Sequence, residues 1–419
     1  KANIITKVGD GFMGIVAKAK GNVITHIGDG PTAGLLFGKA NILTKVGDGA
    51  LVGLLVSDGG NVMTHLSQRE PSNTVAFAKG KANLINKIGS GLSINALWGK
   101  ANIATQIGNG ERYNFAKGRA NIISKIGEGR EITLVQGDAN IITHLGDGDD
   151  YVGTKGKANI VTKVGDGRLI SVAKGDSNII SQIGTGMGVN ILWGKLNIAT
   201  KMGNGLQINV LKAKGNITTT IGTGTNIVAA YGDTHINTKI GAGTAINAVW
   251  GNYILTSHIG DGMNIAVMKG KGNANIHIGD GLMIHATYAR NNIAIKVGNG
   301  DFYALSVASS NTQSNKLAAL FDNIKQSVLG NAASQAINEL ISGKNALISG
   351  NSSGVDDIHI SPVPDKLAGL MLTENTSLAA PLESSLTHQL SELKAPDLDS
   401  LAEQFSVENA SSNTTALNT

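Results

Sequence analysis

Sixteen copies of one short segment repeat the same few side chains, and their types set what chemistry is open to the chain. A representative copy is Asn121-Ile122-Ile123-Ser124-Lys125-Ile126-Gly127-Glu128-Gly129. With the leading Asn as position zero, position +4 is usually Lys, His or Gln, with Thr220 as the exception. It includes Lys87, Lys125, Lys163, Lys201 and Lys239, with His26, His65, His144, His258 and His277. Read as a solvated cationic face, this row would attract anionic lipid headgroups or another polyanion. Its histidines would add charge in mildly acidic surroundings. His258 and His277 fall one copy apart without clear further ligands, so no metal centre is expected there. Position +7 lies between two glycines and is Asp at 10, 29, 48, 147, 166, 261 and 280. Glycine–aspartate turns of parallel β-rolls bind calcium, which needs six to eight oxygens. Most copies lack the carboxylates, so no cofactor is expected beyond calcium at a few Gly-Asp-Gly turns. Position +15 holds Trp98, Trp193, Tyr231, Trp250 and Tyr288 in some copies and Lys in others. Trp, Tyr and Lys together suit a membrane interface or a partner surface. Position zero is Asn83, Asn102, Asn121, Asn140, Asn159, Asn178, Asn197 and Asn216 in the regular stretch. Stacked Asn amides form hydrogen-bonded ladders.

Other chemistries find no residues. Cys is absent, which removes disulfides, thiol nucleophiles and thiolate metal sites. There is no P-loop, nucleophile elbow or His-Glu-x-x-His, and the Gly-x-Gly corners precede no helix, so no enzyme is expected. Arg is sparse and no nucleic-acid reader motif occurs, so nucleic acid is not an expected partner. No run of 18 apolar residues suggests a transmembrane helix, and no secretory signal peptide opens the chain. A start at Lys1 fits a piece of a longer protein.

The elements that must position these rows follow from the spacing. From Asn83 to Asn292 the copies recur every 19 residues, while spacings of 20 and 22 flank Asn61. Alternation through positions zero to +5 has period two, which reads as a strand. Gly-x-Gly then makes a corner, a second short strand follows near +11, and another glycine corner leads to the next Asn. Two such corners per copy would break any helix. One copy cannot bury its own apolar face, but stacked copies can. The predicted fold is therefore all-β. It is a parallel β-solenoid of 19-residue coils with two short strands each, rising about 4.8 Å per coil and extending roughly 75–80 Å. With 56 Gly and only 4% aromatics, packing must rely on small, regular side chains.

Charge marks the end of the array. Residues 1–300 hold 30 Lys+Arg against 17 Asp+Glu, while residues 301–419 hold 5 against 13. The expected domains are a solenoid over 1–300, a helical cap over 301–345 and an acidic linker with short helices over 346–419. Residues 66–82 break the pattern and predict a protruding loop.

The copies beginning at Asn3 and Asn159 (Asn159-Ile160-Val161-Thr162-Lys163-Val164-Gly165-Asp166-Gly167) resemble the glycine-rich repeats of multifunctional-autoprocessing RTX toxins of Vibrio and related bacteria. The resemblance covers about 300 of the 419 residues. It implies secretion by a type I system and action at the host plasma membrane. It also implies effector domains in the same parent chain, and it supplies no catalytic residues here. The functional expectation is a structural module that engages host membrane lipids and assists pore formation or translocation, with self-association available to it. The alternative is a passive rod-like spacer or adhesin-like binding module. Outward Lys and Asn would make insertion of single coils into hydrocarbon costly.

Overall fold

A computed structural model describes residues 1–68 and 72–307. Among these residues there are 28 strands and no helix. The chain forms two compact units, residues 1–226 and a second starting at Ile227.

In the first unit each turn of the solenoid contributes two strands to two parallel ladders. The first-strand ladder begins with Ala2–Val8 and Gly21–Ile27, paired so that Asn3 faces Asn22 and Lys7 faces His26. The register then repeats, with Asn121 beside Asn102 on one side and Asn140 on the other, and Asn140 beside Asn159. The second-strand ladder carries Ser93–Trp98, Arg112–Lys117, Glu131–Gln136 and Asp150–Lys155 as successive neighbours. An irregularity between Gly38 and Ala40 absorbs the 20-residue spacing. The 22-residue spacing pairs Asn61 with Asn83, and its extra residues lie between Leu66 and Thr74.

Glycine makes both corners possible, for different reasons. At the first corner Gly127 and Gly129 have φ of 129° and 111°, which side chains disfavour. At the second corner the backbone stacks so closely that a Cβ on Gly137 would strike the Gly118 carbonyl oxygen.

The second unit winds the same way by itself. Thr234–Ile240 pairs with Tyr253–Ile259, and Gly262–Ile278 runs beside Met283–Val297 over both strands of a turn. Its last described strand, Phe302–Val307, pairs with Met283–Tyr288. It lies just past the expected solenoid end at residue 300 and supplies the second strand of the last described turn. The remainder of the expected helical cap and the acidic linker lie outside the described residues.

Side-chain parity is the reverse of the expected one. Along Ala120–Ile126, Lys125 is 0% exposed, whereas Ile122 and Ile126 are 38% and 44% exposed. Positions zero, +2 and +4 point into the solenoid, and +1, +3 and +5 point out. Since a strand has period two, the inward Asn fixes the +4 side chain inward as well. Along the second strand Arg112–Lys117, positions +10, +12 and +14 are buried while +11 is half-buried and +13 and +15 are exposed.

Candidate functional site: a polar interior and an apolar exterior

The interior of the first unit is built on the Asn row. Each Asn Nδ2 donates to the next Asn Oδ1, at 2.8 Å from Asn83 to Asn102, Asn102 to Asn121, Asn121 to Asn140, Asn140 to Asn159 and Asn159 to Asn178. The ladder continues through Asn197 to Asn216. The same Nδ2 groups also donate to the second strand's terminal carbonyls, such as Lys155 O at 3.2 Å from Asn140. In the second unit His235 stands in this row, with its Nε2 bonded to Trp250 O at 3.0 Å.

The +4 row was expected to be a solvated stripe, and this is corrected. Lys87, Lys125, Lys163, Lys201 and Lys239 are all buried. Gly-x-Gly corners turn carbonyl oxygens inward, and the +4 side chain reaches them. Lys163 Nζ donates to Gly146 O at 3.3 Å, Lys201 Nζ to Gly184 O at 3.2 Å, and Lys87 Nζ to Leu92 O at 3.0 Å. His26 Nε2 contacts Gly9 O at 3.1 Å, and Gln182 Nε2 donates to Gly167 O at 3.1 Å. Lys, His and Gln share the row because each offers a donor at the same depth.

Burial disfavours the ammonium form. It lowers Lys45, Lys201 and Lys239, and pushes Lys125 down to about 8 despite Glu131 and Asp150. From Lys7 to Lys201 the row alternates strictly between Lys and a residue that is not Lys: His26, His65, Gln106, His144 and Gln182 separate the lysines. No two buried lysines are register neighbours there, which keeps like charges two strand spacings apart. His65, between Lys45 and Lys87, is held down to about 4 by burial and by those two charges. Burial also brings His258 to about 4 and lowers His277, and the two rings stack at 4.9 Å. The expected gain of charge in mild acid therefore fails for His65 and His258, which remain neutral through that range.

Sequence reasoning missed a buried charged cluster on the second strands. Arg112, Glu131 and Asp150 are successive register neighbours at position +10. Glu131 accepts from Asn114 Nδ2 at 3.1 Å and Thr133 Oγ1 at 2.8 Å. Asp150 contacts His144 Nδ1 at 2.6 Å and Lys163 Nζ at 3.3 Å. His144 Nε2 meets Gly127 O at 2.9 Å, and since a carbonyl only accepts, that nitrogen carries a proton. Ligand atoms of Glu131, His144 and Asp150 lie within 4.8 Å of one another. The trio does not fit a metal, because Lys163 already neutralises Asp150 and both His144 nitrogens are engaged. Three successive charged residues in a row that is uncharged in the other turns was the available signal.

Calcium also fits the Gly-Asp-Gly corners poorly. Asp10 Oδ1 accepts Asp29 N–H at 2.7 Å, and Asp147 Oδ1 accepts Asp166 N–H at 2.7 Å, so one carboxylate oxygen per corner ties turn to turn. The inward carbonyls already hold Lys, His or Gln donors. What is left falls short of six to eight oxygens.

The exterior is correspondingly apolar. On the first-strand face two aliphatic rows, such as Ile103, Ile122 and Ile141 at +1 and Ile107, Ile126 and Leu145 at +5, stand exposed on either side of Thr and Ser. On the second-strand face Val52, Leu54, Phe77 and Phe115 are exposed. The +15 row closes that face. Trp98 and Tyr231 are exposed, while Trp193, Trp250 and Tyr288 are half-buried. Trp98 lies between Lys79 and Lys117, Trp193 between Lys174 and Lys212, and Lys269 Nζ sits 5.6 Å over the Tyr288 ring.

Comparison with known proteins agrees with this repeat geometry. A family model described as the RtxA repeat matches residues 1–11, 17–31, 38–49, 78–95, 98–114, 116–133, 137–151, 155–168, 212–228 and 268–283. The matched residues carry RtxA repeats. It is 56% identical over 118 residues, 28% of this chain, to a multifunctional-autoprocessing repeats-in-toxin of Vibrio vulnificus. It is also 56% identical over 111 residues, 26% of this chain, to the protein of that description from Vibrio cholerae serotype O1. The match spans about 2% of the length of each relative. No solved structure matches the chain. The RtxA repeats thus form a structural array, with each matched copy contributing one turn or part of one.

Proposed function

We propose that this array is the structural repeat module of a secreted toxin and that it engages the host plasma membrane through its sheet faces, assisting the passage of effector domains carried by the parent chain. The observation that carries this reading is a second, outward set of apolar side chains: Asn and Lys are buried beside an inner row such as Ile123, Ile142 and Ile180, while further Ile, Val, Leu and Phe stand exposed. Large exposed apolar surfaces mark interaction or membrane sites. Inward Asn and Lys also remove most of the expected cost of bringing the coils to hydrocarbon. Strands of six or seven residues, such as Glu131–Gln136 and Ala139–Leu145, are shorter than the 9–11 of a membrane-crossing strand. Engagement is therefore interfacial, with the Trp and Lys row at headgroup level. The opposite, Ile–Thr–Ile face remains available for self-association.

The test uses the whole chain with vesicles carrying quenchers at graded depths. Trp98 and Trp193 lie in the +15 row of the first unit and Trp250 in that of the second, so their fluorescence reports the +15 edge of each unit. Quenching by shallow quenchers with a blue shift is expected. Unchanged emission and no co-flotation with any vesicle would return the array to a passive spacer.

A further inference from the structure

The second corner of the first unit builds a basic trough that the apolar faces do not explain. Its floor is the stacked glycines Gly99, Gly118, Gly137 and Gly156, whose lack of side chains is enforced by carbonyl contacts. Its rims are Lys117, Lys155 and Lys174 at +15 and Lys100, Arg119 and Lys157 at +17, bordering an open groove of about 620 Å³. All six are exposed. Lys157 pairs with Asp138 at 3.5 Å, and the other five have no ion-pair partner among the described residues. The opposite corner of these turns is acidic or mixed instead, with Glu111, Glu128, Asp147, Asp149 and Asp166 against Arg130 and Arg168. The cross-section is thus electrically lopsided, and its cationic edge adjoins the face bearing Trp98 and Trp193.

We propose that this trough binds the phosphates of anionic phospholipid headgroups and so selects which edge of the array meets the bilayer. The inference rests on the membrane reading above. Bare glycines let a phosphate approach the corner backbone, while cations on both rims meet its charge. Ammonium and guanidinium groups on one straight edge suit a plane of headgroups, and they keep the Trp row at the interface.

The experiment compares the whole chain with the variant K100Q/R119Q/K155Q/K174Q by flotation on neutral phosphatidylcholine vesicles and on vesicles containing phosphatidylserine. R130Q, on the opposite corner, is the control. Wild type and control should prefer anionic vesicles. The quadruple variant should lose that preference by at least about 100-fold while keeping its binding to neutral vesicles. Equal wild-type binding to both vesicles, or an undiminished preference in the variant, overturns the trough and leaves the membrane reading standing. Variant-sensitive binding to soluble polyphosphate without any vesicle preference assigns the edge to a free polyanion and overturns the proposal. Wild-type binding to neither vesicle sinks both readings. Circular dichroism of the variant shows that these exposed changes leave the fold intact.

Discussion

Replacing Gln106 by Lys tests the logic of the interior. Gln106 lies in register between Lys87 and Lys125. The substitution puts three buried ammonium groups in a line at one strand spacing, about 4.8 Å. At an effective dielectric of about 20, each new like-charge pair costs about 3.5 kcal/mol, or about 7 kcal/mol for two. The new lysine escapes part of this by losing its proton, which at pH 7 costs about 4–5 kcal/mol from an unperturbed pKa near 10.4. That deprotonation caps the charge repulsion. Because the folded pKa is depressed, the penalty is largest well below the unfolded pKa and shrinks as pH rises towards it, to about 2 kcal/mol at pH 9. Turns of a solenoid open locally, so the assay is hydrogen exchange of the strands 82–126 at pH 7 and pH 9. K125Q, which removes a charge and keeps a donor of a kind the row already uses, should lose far less protection. Equal protection of Q106K and wild type at pH 7 would refute the claim that alternation is electrostatic.

Three further outcomes follow. His65, His258 and His285 are held near 4 by burial, so between about 4 and 6.5 the unfolded chain binds more protons and stability falls on acidification. Melts at pH 7 and pH 5 should show a lower Tm in acid, and H258Q should reduce the difference; a Tm that rises in acid contradicts the burial of these rings. N140A removes the acceptor of Asn121 and the donor to Asn159, and should cost about 1–3 kcal/mol, read as faster amide exchange across residues 121–159. Chelation with EDTA should leave the melt unchanged, since Lys, His and Gln occupy the corner carbonyls; a large fall in Tm would show calcium holding them instead.

The spacing made the winding legible in the sequence. Nineteen residues between equivalent Asn side chains, with glycine at two corners, leave parallel stacking as the way to bury a face. Parity was not legible by the ordinary rule that aliphatic side chains face inward. Ile122 and Ile126 look like core and Lys125 like surface, yet Asn121 shares the parity of Lys125 and its amide needs partners above and below. The corner carbonyls, invisible in a residue string, supply the reason to bury an ammonium. Arg112, Glu131 and Asp150 were readable as compensation only after Lys125 and Lys163 had been placed inside.

The alternation in the inner row also acts on how the chain finds its register. An array of near-identical units invites slippage, since each segment can dock on several others with the same hydrogen bonds. Between Lys7 and Lys201, skipping one turn that holds His or Gln would bring lysine against lysine, whereas skipping two turns would not. Electrostatics therefore opposes that misalignment and makes 38 residues the smallest step by which the pattern maps onto itself. Gain or loss of turns in such an array is tolerated in pairs, and a single added turn leaves a mismatch at the junction where it was inserted.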